Sequence, residues 1–83
     1  MPQIVAVVSR FPRQELAIRR LHACDATFRE ICEDYDDALR ALRHWQSTGS
    51  SSDPRIAQYR ELVSELESEI SMLLEISERP APG

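Results

Sequence analysis

Between Leu21 and Trp45 the apolar residues fall at Leu21, Cys24, Phe28, Ile31, Tyr35, Ala38, Leu42 and Trp45, steps of three and four that alternate for more than three heptads. That period belongs to an α-helix with one apolar seam and not to a strand, whose faces alternate every second residue. With Leu21 at position a, Ile18, Cys32 and Leu39 fall at e and widen the seam into a stripe suited to a bundle core. One neighbouring helix would not cover such a stripe. A chain of 83 residues also hides only a modest share of its surface when it folds alone. The stripe therefore predicts self-association through Leu21, Cys24, Phe28, Ile31, Cys32, Tyr35, Leu39, Leu42 and Trp45, two copies forming a four-helix bundle.

A second helix is predicted after a polar loop at about 47–53, with Asp53 as N-cap and Pro54 in the first turn. Ile56, Tyr59, Val63, Leu66, Ile70 and Leu73 form its seam, Leu62 and Ile76 join on one flank, and it should run to about Ser77. The expected fold is all-α: an antiparallel two-helix hairpin over 12–78, followed by a disordered tail at 79–83 containing Pro80, Pro82 and Gly83. Residues 1–11 are expected to be extended, because Ile4-Val5-Ala6-Val7-Val8 reads as a short strand or a docked tail. Ser9 and Pro12 mark the start of the first helix. Inside that helix, Thr27 and Glu30 have capping-box spacing and Asp25 is a second candidate cap. An unbroken helix and two helices meeting near 24–27 both remain open.

Folding the chain at about residue 50 sets Arg19, Arg20 and Arg29 near Glu75 and Glu78. Within helices, Glu15 with Arg19, Asp25 with Arg29 and Asp36 with Arg40 have the favourable acid-first spacing. The most acidic stretch holds Glu33, Asp34, Asp36 and Asp37, opposite Glu65 and Glu67 across the hairpin, so an acidic belt is expected around the middle of the rod. It reads as a solvated face or a patch for a protein partner; a divalent-cation site is the alternative.

The net charge of −4 argues against nucleic acid as a partner, since phosphate recognition needs a basic stripe and here the arginines are interleaved with acids. No apolar run approaches the roughly 20 residues needed to cross a bilayer, and Ile4 to Val8 is too short for the core of a signal peptide. A cytoplasmic location is expected. All ten basic residues are arginine, which fits a GC-rich bacterial genome.

Cys24 and Cys32 lie about 12 Å apart along a helix, too far for an intrahelical disulfide, and fit no zinc motif. They are expected to be reduced core residues. His22 and His44 lie near opposite ends of the first helix and are expected at the surface; no Glu-x-x-His pair of a di-iron bundle occurs. Neither a phosphate loop nor a nucleophile beside a base can be assembled. Helical chorismate mutases show that short all-helical dimers can be enzymes, but they need inward arginines, which this seam lacks. No catalytic residue, metal ligand or cofactor is expected, and the chain is not expected to be an enzyme.

The series Ile18, Leu21, Asp25, Phe28, Ile31 and Tyr35, followed by Leu66, Glu69, Ile70 and Leu73, resembles the small YdcH-like bacterial proteins over about 55 residues, from Ile18 to Leu73. The resemblance implies a short helical hairpin and a bacterial source, and no established activity. Similar proteins often place proline after the aspartate that matches Asp25, which would make Asp25 an N-cap. The chain departs from that family in its glutamate-rich second helix and in its N-terminal segment. The function expected is that of a self-associating helical interaction or structural module that binds a protein partner.

Overall fold

The apolar residues Ile4, Val7, Val8 and Phe11 stand at i, i+3, i+4 and i+7, the spacing of one helical face. In the computed structural model, which describes residues 4–48 and 53–78, Ile4, Val7 and Val8 lie on a helix, α1 (Ile4–Arg10), with Phe11 just past its end, and not on an extended segment as expected for 1–11. Seven residues are too few for a helix to stand alone in water, so tertiary docking holds α1 in place. Val7 is fully buried and Ile4 nearly so. Ile4 and Val7, two of the β-branched side chains that suggest a strand, are spent on this contact while Val5 stays exposed, and the docking overrides their local preference.

Phe11 and a single 3₁₀ turn, Pro12–Gln14, reverse the chain into α2 (Glu15–Cys24). At Asp25 the backbone becomes extended (φ −122°, ψ 108°) and α3 (Ala26–Ser47) begins. The Asp25 carboxylate accepts from the backbone N–H groups of Thr27 at 2.9 Å and Phe28 at 3.2 Å, so Asp25 caps α3 and Thr27 does not. The same residue closes α2, its N–H donating to the Leu21 carbonyl. Arg29 reaches back to the His22 carbonyl at 2.9 Å, placing a cation at the negative end of α2.

Asp53 and Pro54 open α4 (Pro54–Glu78), with the Arg55 N–H donating to the Asp53 carboxylate. The middle of the expected loop and the expected tail lie outside the described residues. The two arms of the hairpin are joined at the loop end through Trp45 near the end of α3 and Arg55 at the start of α4, whose guanidinium lies 3.8 Å from the centre of the indole.

The α3–α4 pair is the most extensive packing in the molecule; α1 rests on α2 and α3, and α2 on α3 and α4. One core results, built on Phe28, Cys32, Tyr35 and Ala38 of α3 and Val63, Leu66, Ile70 and Leu74 of α4, closed by Ile4, Val7 and Ile18. Among the described residues four α-helices pack together and there is no strand. The cover for the wide α3 stripe thus comes from the chain's own α1 and α2. No described helix is long and apolar enough to cross a membrane.

Candidate functional site

The stripe predicted as a self-association surface divides into residues of different fates. Phe28, Cys32 and Tyr35 are at most 2% exposed within one chain, so no second copy can reach them without disrupting the core. Leu21, Ile31, Leu39, Leu42 and Trp45 are half-buried. Cys24 is exposed, against its expected place in the core, because the extended residue at Asp25 breaks the heptad phase between α2 and α3. Cys32 is buried as expected, and burial pushes its thiol up to about 11 by disfavouring the thiolate.

The acidic belt also divides. Glu67 turns inward: its carboxylate accepts from the Tyr35 hydroxyl at 2.7 Å and lies 3.3 Å from Arg10 Nε. This Arg10–Glu67–Tyr35 cluster ties α1, α3 and α4 together and satisfies a tyrosine that would otherwise bury an unpaired hydroxyl. Burial and the adjacent Glu67 carboxylate hold the Tyr35 phenol in its neutral form well above the usual range. Asp36 pairs with Arg40 one turn on. Glu33, Asp34, Asp37 and Glu65 remain exposed. Among the described residues no three His, Cys, Asp or Glu side chains are grouped to hold a metal ion.

Of the expected charge pairs, Glu15–Arg19 and Asp36–Arg40 form. The Asp25 carboxylate is taken by its capping role instead, and Arg29 by the carbonyls of His22 and Ala23. His44 is exposed and packs edge-on to Trp45. His22, expected at the surface, is half-buried, and its Nε2 has no hydrogen-bond partner among the described residues.

Among the described residues, grooves flank α4 on two sides. The larger, about 600 Å³, lies between α4 and the Arg10–Phe11 corner and is lined by Ser64, Ser68 and Ser71 with Glu67, Met72 and Glu75. Its charged groups Arg10 and Glu67 already belong to the cluster that locks α1 down. The smaller, about 320 Å³, lies on the side of the hairpin that α1 and α2 leave open. Ala38 and Ala41 keep its α3 side low, Tyr59, Leu62 and Leu66 build its α4 wall, and Asp34 and Asp37 stand at its margin. A cavity at the lower limit of metabolite pockets, with an apolar floor and no convergent polar groups, suits side chains from another helix better than a small substrate.

Sequence reasoning identified Asp34, Asp37 and Glu65 as a patch but missed the groove beside them. Its signal was two alanines, Ala38 and Ala41, on the same face as Asp34. Ala38 reads as a member of the apolar seam and Ala41 carries no signal of its own until Tyr59 and Leu62 stand opposite. Comparison with known protein families, curated proteins and solved structures finds no match to this chain, so the likeness to YdcH-like proteins rests on the spaced residues alone.

Proposed function

We propose that this chain is a helical protein-interaction module whose working surface is the open side of the α3–α4 hairpin. It receives there a helix from another molecule, a copy of itself included. The observation that carries this reading is the asymmetry of the hairpin: one side is sealed by Ile4, Val7 and Ile18, while the other keeps an apolar groove whose wall includes Leu62, 40% exposed. Ile76, also exposed, lies two heptads from Leu62 and extends this flank of α4. Apolar side chains gathered beside charged margins have the make-up of an interaction patch.

Self-association on this side is the form of the proposal that needs no other protein. It replaces the arrangement built on Phe28 and Tyr35, which are consumed inside one chain. Light scattering across a concentration series at about 1 M salt, where charge repulsion is screened beyond about 3 Å, tests it. The wild type should rise above the monomer mass of 9.5 kDa, and Leu62→Glu should hold it there. A Leu62→Glu variant that associates like the wild type would place any contact elsewhere and remove the basis of the proposal.

A further inference from the structure

We infer that the preferred occupant of the α3–α4 groove is an amphipathic helix of another protein that carries arginine or lysine on both sides of its apolar seam. This rests on the reading of the open side as the working surface and adds what the surface selects. The floor supplies the apolar half of the match, since Ala38 and Ala41 let a helix lie close while Leu62 and Tyr59 meet its seam.

The margins supply the selection. Asp34 and Asp37 stand along α3, and on α4 Glu65 follows Leu62, and Glu69 follows Leu66, by three residues, which puts them on the same faces. All four carboxylates are exposed, and no basic residue lines the groove. Two arginines beside it are engaged elsewhere, Arg40 with Asp36 and Arg55 with Asp53 and the Trp45 ring. Both margins of the groove are therefore negative. Two copies meeting groove to groove would set acidic margin against acidic margin, which disfavours the homotypic complex at low salt. A cationic helix turns the same charges into complementary pairs. Exposed pairs add little affinity each, so the apolar seam supplies the binding and the charges choose the partner.

The test uses the full chain and two labelled helical peptides with the same leucine seam, one flanked by lysine and arginine, the other by glutamate, read by fluorescence anisotropy. At about 50 mM salt the basic peptide should bind at least about tenfold tighter, and the difference should shrink toward about 300 mM as screening sets in. Asp34→Asn with Asp37→Asn should narrow the difference by weakening only the basic peptide. Leu62→Glu should abolish its binding, and because Leu62 is part-exposed the variant's helical melt confirms that it still folds.

Equal binding of both peptides, lost in Leu62→Glu, overturns the charge inference and leaves the groove as a docking surface. Self-association at low salt that shuts out the basic peptide makes a second copy the occupant and likewise overturns it. Neither peptide binding, with Leu62→Glu silent in the high-salt light scattering as well, overturns both the inference and the reading beneath it.

Discussion

Replacing Asp25 by alanine should cost about 1–2 kcal/mol, and replacing it by asparagine only a few tenths. The carboxylate accepts two N–H groups of the first turn of α3, one of them on the fully buried Phe28. Alanine leaves both donors without that acceptor, whereas asparagine keeps the acceptor and loses only the attraction of a negative charge for the positive end of the helix. If Asp25 acted instead through an ion pair with Arg29, the two substitutions would be equivalent and each worth tenths of a kcal/mol. For a domain of this size about 1 kcal/mol moves the midpoint by about 4–8 °C, so alanine should lower Tm by about 5–15 °C and asparagine by no more than a few degrees. Thermal melts followed by circular dichroism, with urea titrations for the free energies, measure this. Equal losses in both variants would refute the capping role, and no loss in either would show that the break between α2 and α3 does not depend on Asp25.

Other expectations follow from the same packing. Ile18→Ala should destabilise the chain by about 2–4 kcal/mol in urea denaturation, since Ile18 is the one fully buried side chain of α2 and a cavity beneath it cannot fill without moving the helix. Tyr35→Phe should cost about 1–2 kcal/mol, the worth of a hydrogen bond to a carboxylate that keeps Arg10 as a neighbour. Stability should fall with rising pH on the alkaline side. The Cys32 thiol is raised from 9.0 to about 11 and the Tyr35 phenol from 10.0, so the unfolded chain releases these protons first; the stabilisation is complete below about pH 9 and is lost as pH climbs through about 11. Urea midpoints between pH 8 and pH 11 should show a shallower decline for Cys32→Ala than for the wild type.

The helical class was legible, and the break at Asp25 was one of two readings the sequence leaves open, because each has a local cause. The three-four repeat of α3 and α4 and the capping chemistry of Asp25 are written in residues close together in sequence. Two features were not. Ile4, Val7 and Phe11 have helical spacing, yet the β-branched run they sit in also suits a strand, and only the exposed stripe of α3 decides between them. Without that cover in view the stripe reads as one that a second copy must bury, whereas Phe28 and Tyr35 are buried within one chain. Cys24 was misplaced for a related reason, since a heptad carried across a capped break loses its phase at the break. The groove escaped notice because it is defined by what Ala38 and Ala41 leave empty, and emptiness has no periodic signature.

The central claim is that α1 and α2 of the same chain cover the α3 stripe and so leave the other side of the hairpin free. Thiol labelling at several protein concentrations tests it most directly, because Cys24 is exposed and Cys32 is sealed beneath the same core. Cys24 should react rapidly and serve as an internal reference. Cys32 should react slowly, at a rate unchanged by dilution from hundreds of micromolar to well below one micromolar, because its cover is intramolecular. A Cys32 rate that climbs on dilution, in step with dissociation of a larger species, would show that a second copy supplies the cover and would contradict this account.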